Sequence, residues 1–404
     1  MSTSDLDSSS GGDTLRVVAV AEIGPRSFER ELRAGHDIVV VDTRDADAFG
    51  AWHLDSGRVR LLNIPESEFQ RDVGTALRRI PAPSSLRLIC TAGNSSRRVA
   101  ELLAERGVAS LSVRGGLICW SRLVEVDEVP LAGPFRVVQF RREARGCLSY
   151  LVVAGDDALV VDPGPEVEPY LAEAAARGVR ITSVFDTHVH ADHLSGAREL
   201  ADRADAVLHL PAASLLRGCR HAGRVASVAD GDSIEVGAAS VRVVALPGHT
   251  SDMTGLLLGE LALLAGDSLF LDSVARPDLE HGDDGAAAGA RELHRTLRER
   301  IAALPDATVL LPAHYPGGRV DGPVAGTLGA VRRAMPELAL GEAAFVARVL
   351  EELPERPANY TEIIAVNLGP EPPGPEVAHL EVGANNCAVS AARPPSTPTP
   401  SGRP

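Results

Sequence analysis

This chain of 404 residues contains two regions that differ in their pattern of apolar and polar positions. Before about Val124, continuous apolar runs such as Asp37–Val41 and Ser85–Cys90 alternate with helix-forming segments. Continuous apolar runs of this length are typical of buried strands, and their alternation with helices favours a small open α/β domain. The pattern therefore predicts a first α/β domain over residues 14–124.

The second pattern begins at Phe135, where short predicted strands follow one another closely. Phe135–Phe140, Leu148–Ala154 and Ala158–Val161 are such strands, with a turn at Asp156-Asp157 between the last two. Strands in quick succession, followed by interspersed helices, favour two stacked sheets flanked by helices over residues 134–335. Residues 125–133, with Pro130, are typical of a linker between the two domains.

The ends of the chain have compositions of their own. Residues 1–13 are rich in Ser, Gly and Asp, and 389–404 are rich in Pro, Ser and Thr, so both segments are predicted to be disordered. Apolar positions at helical spacing predict an amphipathic helix over 343–354. We expect residues 336–388 to form a C-terminal extension that packs on the second domain.

Composition excludes several classes of function. The formal net charge of −15 argues against nucleic acid or an anionic membrane as the main partner. All 40 basic residues are Arg, so a Schiff-base lysine and a P-loop lysine are absent. Five widely spaced cysteines, no signal-peptide pattern and no membrane-length apolar run favour a cytoplasmic protein. The oligomeric state stays open, and a homodimer is compatible with the sequence.

Candidate metal ligands cluster directly after the apolar run Ile181–Phe185. His188, His190, Asp192 and His193 lie within six residues, and imidazole and carboxylate are ligands of divalent metals. Three later apolar runs end in the same way, each with a turn residue and then a ligand type: His249, Asp267 and His314. Strand ends are where a rigid scaffold presents functional groups, so we expect these side chains to converge.

This ordered set resembles the metallo-β-lactamase superfamily over roughly residues 135–335. The resemblance implies an αββα sandwich with the metal at one edge of the sheets, and a structural role near the site for Asp162. It implies seven metal-ligand positions, with Asp192 also a candidate catalytic residue: His188, His190, Asp192, His193, His249, Asp267 and His314.

The ligands alone do not decide which metal is bound. The full set suits a dinuclear zinc hydrolase, but also a subgroup in which two His and one Asp hold a single iron. The stretch from Gly266-Asp267-Ser268-Leu269-Phe270 to Arg276-Pro277-Asp278-Leu279 resembles the persulfide dioxygenase subgroup, from which Ala275 and Tyr315 depart. That resemblance implies Fe(II) on His188, His249 and Asp267, with Zn(II) as the alternative.

The first domain carries a candidate nucleophile, Cys90, between a buried strand and a helix predicted over Arg98–Arg106. A thiol at a helix N-terminus, in a cradle of backbone N–H groups, is stabilised as thiolate. The segment Cys90–Arg97 resembles the rhodanese active-site loop, although Ser95 replaces the usual Arg, for which Arg97 is a possible substitute. A sulfur-binding module without catalytic activity is the alternative.

Together the resemblances imply iron-dependent oxidation of a low-molecular-weight thiol persulfide, such as glutathione persulfide, by O2 to sulfite. The rhodanese-like domain would add sulfur transfer through Cys90. The alternative is a dinuclear zinc thioester hydrolase of the glyoxalase II type. Cys119 is expected in the core and Cys387 as a structural thiol.

Overall fold

The protein is described by a computed structural model that covers residues 21–35, 37–54, 59–81, 85–383 and 385–389. These residues fall into two compact units, the first reaching Leu117 and the second beginning at Ile118, with residues 50–54 counted in the second. The predictions for residues 1–13 and for the tail beyond Val389 lie outside the described residues. No helix in these ranges combines the length and the apolar character that crossing a membrane requires.

The first unit is built on a parallel sheet of five strands in the order β1-β5-β4-β2-β3. Its strands are β1 (Glu22–Ile23), β2 (Ile38–Asp42), β3 (Arg60–Asn63), β4 (Ser85–Ile89) and β5 (Ser110–Val113). Its helices are α1 (Pro25–Ala34), α2 (Ala46–Ala51, which reaches into residues counted in the second unit), α3 (Glu66–Arg71), α4 (Val73–Arg78) and α5 (Asn94–Ala104), and α6 (Gly116–Ser121) crosses the division between the units.

The strand order of this sheet reverses between β2 and β4. In open parallel sheets such a switch point leaves a crevice at the carboxyl ends of the strands, where ligands bind. Val41 and Leu88 pack with Phe69 and Val99 in a buried apolar cluster, which fixes the helices α3 and α5 on the sheet. The predicted small α/β domain is thus present as an open parallel sheet.

The second unit contains two sheets. The seven-stranded sheet has the order β12-β11-β10-β9-β8-β7-β6 and the six-stranded sheet the order β13-β14-β15-β16-β17-β18. The strands are β6 (Glu125–Val129), β7 (Arg136–Arg142), β8 (Cys147–Ala154), β9 (Asp157–Val161), β10 (Arg180–Phe185), β11 (Val207–Pro211), β12 (Val225–Val228), β13 (Ser233–Val236), β14 (Ala239–Ala245), β15 (Thr254–Leu258), β16 (Ala262–Gly266), β17 (Val309–Pro312) and β18 (Gly326–Thr327).

Helices cover the outer faces of both sheets. They are α7 (Glu168–Arg177), α8 (Ala197–Ala204), α9 (Ala212–Leu216), α10 (Gly282–Arg295), α11 (Leu328–Ala334), α12 (Glu342–Glu351) and α13 (Tyr360–Leu368), with a π-helical turn at Thr296–Ile301 and 3-10 turns at Pro336–Ala339 and Pro375–Glu381. One apolar cluster fills the space between the sheets, and two more join each sheet to its helices. The predicted αββα sandwich is confirmed.

The predicted linker over residues 125–133 is wrong in its first half. Glu125–Val129 forms the edge strand β6, in which Val126 pairs with Phe140 of β7. Val126 is exposed, whereas Val129 is buried. Three of the five residues of this edge strand are acidic, so the segment lacks the apolar run that marks the other strands, and Pro130 ends it.

Gly248 allows helix α10 to lie directly against the loop that follows β14. Its φ of +140° is a conformation that side chains rarely adopt, and an added Cβ would lie 2.4 Å from the Cα of Leu293. The next residue is His249, so this close approach fixes where that ring sits.

We expect Gly248→Ala to reduce the free energy of unfolding of the second unit by about 3 kcal/mol, through overpacking and backbone strain. Gly259→Ala is the matched control, because its φ is +58° and no atom lies within 4 Å of the added Cβ; strain alone should cost about 1 kcal/mol there. Urea denaturation followed by circular dichroism measures both. Equal losses would show that the contact with Leu293 is unimportant.

Candidate functional site

The structure brings the seven predicted metal-ligand residues to one edge of the sandwich. Four of them lie in the loop after β10, and the others follow β14, β16 and β17. All seven are at most 3% exposed: His188, His190, Asp192, His193, His249, Asp267 and His314. They form two groups rather than one, with His190 in neither.

The first group consists of His188, His249 and Asp267, whose ligand atoms lie within 4.8 Å of one another. The Nε2 atoms of His188 and His249 are 3.8 and 3.6 Å from Oδ2 of Asp267. None of these three buried atoms has a hydrogen-bond partner among the described residues. Buried polar atoms are rarely left unpaired, so their convergence fits a cation held between them.

Both imidazoles of this group are held in the form that binds metal. Nδ1 of His249 donates to the carbonyl oxygen of Arg276 at 2.7 Å, which leaves the lone pair on Nε2. Nδ1 of His188 lies 2.9 Å from Oγ1 of Thr187. Burial lowers the pKa of both rings, so they are neutral near pH 7.

His190 points away from the first group. Its Nε2 lies 3.2 Å from Oδ1 of Asp162, and Asp186 completes a third buried group with them. Burial opposes protonation of His190, but the Asp162 carboxylate outweighs it and raises the pKa to about 9. The ring is therefore an imidazolium at neutral pH, paired with Asp162.

The second group consists of Cys147, Asp192, His193 and His314, again with ligand atoms within 4.8 Å of one another. His314 links the two groups, because its Nδ1 bonds to Oδ1 of Asp267 and its Nε2 lies 2.8 Å from Oδ2 of Asp192. Burial opposes protonation of His314, but the two carboxylates raise its pKa well above the usual range. Burial alone would raise the pKa of the Asp192 and Asp267 carboxyls, but His314 outweighs it and lowers the pKa of both.

Two cysteines at this site escaped the sequence analysis. Cys147 begins β8 and lies 3.6 Å from Oδ2 of Asp192, whereas the sequence search considered only strand ends. Cys387, expected to be a structural thiol, forms a group with Asp267 and His314. It lies in the C-terminal extension, and no motif marks it.

The C-terminal extension packs on the second unit and holds the ligand loop. Asn367 of α13 donates to the carbonyl oxygens of His190 and His193, each at 2.9 Å. The buried Arg276, whose carbonyl orients His249, donates to the carbonyls of Pro354, Glu355 and Asn386. The extension therefore positions ligands on both sides of the site.

In the first unit, Cys90 lies at the floor of a cleft of about 430 Å³ at the switch point between β2 and β4. Its Sγ accepts from the backbone N–H groups of Gly93 at 3.1 Å and Ser96 at 3.4 Å. These bonds lie at the start of α5, which begins at Asn94 and not at Arg98 as the sequence predicted. Arg98 lines the cleft, whereas Arg97 is not among its lining residues. Cys119, expected in the core, is exposed.

Comparisons with known proteins agree with this geometry. The sequence profile described as "Metallo-beta-lactamase superfamily" matches residues 142–314. The chain is 30% identical over 225 residues to "Persulfide dioxygenase ETHE1, mitochondrial" of Bos taurus, a match that covers 52% of this chain and 79% of that protein. It is 34% identical over 171 residues to "Hydroxyacylglutathione hydrolase" of Dechloromonas aromatica (strain RCB), covering 41% of this chain and 56% of that protein.

Among solved structures, the crystal structure of ETHE1 from Myxococcus xanthus superposes with a TM-score of 0.50 at 27% identity. The match covers 58% of this chain and 97% of that chain. The chain therefore spans nearly all of one relative and little more than half of the length of the hydrolase.

The pairing of His190 with Asp162 predicts a stability contribution with a defined pH window. Because the pKa of His190 is higher in the folded than in the unfolded protein, its protonation stabilises the fold. This contribution is complete below the unfolded pKa of about 6.5 and is lost as the pH rises through about 9. The free energy of unfolding of wild-type protein should exceed that of His190→Gln by roughly 3 kcal/mol at pH 6, and this difference should be smaller at pH 9. Urea unfolding of chelator-treated protein measures this.

His209→Gln is the control for that experiment. Burial lowers the pKa of His209 to about 4. Its contribution to the free energy of unfolding therefore rises with pH between 4 and 6.5 and is constant above that range. A His190→Gln difference that stays constant from pH 6 to 9 would contradict the proposed imidazolium.

Proposed function

This chain belongs to the metallo-β-lactamase superfamily, and we propose that it is an iron-dependent persulfide dioxygenase. The substrate is a low-molecular-weight thiol persulfide such as glutathione persulfide. With O2 and water it gives the thiol and sulfite, so that RSSH + O2 + H2O yields RSH + H2SO3. The bovine relative is named a persulfide dioxygenase, and the Myxococcus relative shares its designation ETHE1.

The observation that carries this proposal is the composition of the first group. Two neutral imidazoles and one carboxylate with unpaired ligand atoms are the donor set of non-haem Fe(II) oxygenases, which keep open positions for substrate and O2. His190, the further imidazole that a three-histidine zinc site would use, is instead directed at Asp162, whose Oδ1 lies 3.2 Å from its Nε2.

Iron held by His188, His249 and Asp267 would supply the binding and redox activation of dioxygen. The residues around these ligands act by position and charge. The carbonyl of Arg276 orients His249, and His314 holds Oδ1 of Asp267 so that Oδ2 stays directed at the imidazoles. Because the ligands are at most 3% exposed, bulk water is excluded, which strengthens these electrostatic interactions.

A zinc thioester hydrolase of the glyoxalase II type is the second candidate. The observation in its favour is the second group, since Asp192, His193 and His314 also converge beside Asp267. Two adjacent metal sites suit hydrolysis, in which both ions share the work of activating water. The hydrolase from Dechloromonas aromatica belongs to this class by name.

For the first unit we propose sulfur transfer through Cys90. Two backbone N–H groups and the N-terminus of α5 face its Sγ, an arrangement that stabilises a thiolate or a persulfide. Arg98 also lines the cleft, but its guanidinium is paired with Glu66 at 2.6 and 2.7 Å, so an anionic sulfur donor would have to share it with that carboxylate. Thiosulfate and thiol persulfides are donors of that class.

Purified full-length protein is expected to contain iron in stoichiometric amount and to consume O2 with glutathione persulfide. His249→Ala should lose iron and reduce O2 uptake by more than about 100-fold, because even outer-shell partners of a metal contribute 10–100-fold. His281→Ala, an exposed histidine outside the ligand groups, is the control.

Iron-loaded wild type that consumes no O2 with several thiol persulfides would exclude the dioxygenase. Zinc as the purified metal, together with hydrolysis of S-lactoylglutathione, would establish the second candidate instead. Elemental analysis and an oxygen electrode separate the two functions.

Cys90→Ser should abolish cyanide-dependent cleavage of thiosulfate, because no other thiol lines the cleft. Cys119→Ser removes an exposed thiol outside the cleft and should leave the rate unchanged. A wild type without this activity would make the first unit a sulfur-binding module, and activity that survives in Cys90→Ser would place the nucleophile elsewhere.

A further inference from the structure

The cleft around Cys90 presents its positive charges already paired with carboxylates. Its lining includes two basic and two acidic side chains, which are Arg44, Asp45, Glu66 and Arg98. Nε and Nη2 of Arg44 donate to the buried carboxylate of Asp42 at 3.1 and 2.7 Å. The lining residues therefore carry no net charge, and the charge of Arg44 is balanced by a carboxylate behind it.

Glu66 occupies one edge of the Arg98 guanidinium. Its Oε1 and Oε2 accept from Nε and Nη2 of Arg98 at 2.6 and 2.7 Å, and Gln70 donates to Oε1 at 2.9 Å. The hydrogen bonds from Arg98 lower the pKa of Glu66, so the carboxylate is ionised at neutral pH. An anion that approaches Arg98 is therefore repelled by Glu66 at the same place.

The other edge of Arg98 stays available. Nη1 makes no hydrogen bond to the described residues, and the side chain is 53% exposed. Because a guanidinium carries five N–H donors, Nη1 can bind a second carboxylate while Glu66 accepts from an ammonium group. An amino-acid group carries both of these charges on one carbon atom. The cleft volume of about 430 Å³ also admits a donor of that size.

The loop around Cys90 can hold the transferred sulfur but not a second negative charge. The backbone N–H groups of Gly93 and Ser96 face the Sγ atom of Cys90. Oγ of Ser95 lies 2.6 Å from Oγ1 of Thr43, so this position of the loop offers a hydroxyl rather than a cation. Thiosulfate, a dianion, would find no unshared cation among the described residues that line the cleft.

We propose that the Glu66–Arg98 pair selects the sulfur donor of Cys90, favouring a thiol persulfide that carries an amino-acid zwitterion, such as cysteine persulfide, over thiosulfate. Cys90 attacks the outer sulfur, the S–S bond of the donor breaks, an S–S bond forms on Cys90, and the donor thiol leaves with the proton. Thus R–S–SH + Cys90–SH yields R–SH + Cys90–S–SH, without an added oxidant or reductant. This inference rests on the proposed sulfur transfer and adds the class of donor.

The test measures how fast the Cys90 peptide of full-length protein gains one sulfur, by mass spectrometry, with three donors. These are thiosulfate, cysteine persulfide and 3-mercaptopropionate persulfide, which differs from cysteine persulfide only in lacking the ammonium group. Each persulfide rate is divided by the rate of the same donor with a free thiol in solution. Wild type should prefer cysteine persulfide to each of the other donors by about tenfold or more, the effect of one hydrogen bond to a charged group.

Glu66→Gln keeps the size of the side chain but removes its charge. It should raise the rate with thiosulfate by about tenfold, because Arg98 is then unopposed, and should abolish the preference between the two persulfides. Glu101→Gln is the matched control, since Glu101 lies 3.9 Å from Arg97 on the same helix and neither residue lines the cleft. It changes the net charge equally and should leave all three rates unchanged.

Wild type that reacts with thiosulfate as fast as with cysteine persulfide, or that treats the two persulfides alike, would overturn the inference and keep the sulfur transfer. An unchanged donor preference in folded Glu66→Gln would overturn it as well. If circular dichroism shows that Glu66→Gln does not fold, the comparison of donors on wild type decides alone. Wild type that gains sulfur from none of the donors would remove both the inference and the proposed transfer.

Discussion

The carboxylate of Asp162 is the contact on which the metal-ligand loop depends. It accepts from the backbone N–H of Thr187 at 2.7 Å, from the hydroxyl of Thr187 at 3.0 Å and from His190 at 3.2 Å. The same hydroxyl meets Nδ1 of His188, so one carboxylate governs the rotation of two imidazoles. Asp162 has a φ of +50°, in the left-handed region that Asp tolerates better than most residues do. Because these three hydrogen bonds are buried, they hold the loop in one arrangement.

The C-terminal extension satisfies the other side of that loop. Without Asn367, the carbonyls of His190 and His193 would be buried and unpaired, which costs free energy for each group. Glu381 accepts from the backbone N–H of Leu194 and pairs with Arg142. Although burial opposes ionisation, this arginine lowers the pKa of Glu381 to about 2, so a charged pair is kept inside the protein. The extension is therefore part of the site in energetic terms.

These contacts explain what could be predicted from the sequence. The ligand residues were found because each follows an apolar run, and strand ends meet at one edge of a sheet. His249 was found in this way, but its partner, the carbonyl of Arg276, leaves no mark in the sequence because every residue has a carbonyl. The direction in which His190 points was missed for a related reason. In a loop, the direction of each side chain depends on its partner, here Asp162, and the sequence does not show that partner.

Pairing patterns set the other limit on prediction. Cys147 is the first residue of β8, and it reaches the site through an isolated bridge to His314, which lies 167 positions further along the chain (314 − 147). Strand β6 was mistaken for a linker because three of its five residues are acidic, so it has no continuous apolar run. In both cases the missing information was the identity of a distant backbone partner.

His314 joins the two ligand groups electrostatically. Flanked by two carboxylates, it is favoured as an imidazolium whose charge partly offsets those of Asp192 and Asp267. Its Nδ1 is bonded to Oδ1 of Asp267, whose Oδ2 faces His188 and His249. A single imidazole therefore connects the charge of Asp192 with the carboxylate donor of the first group.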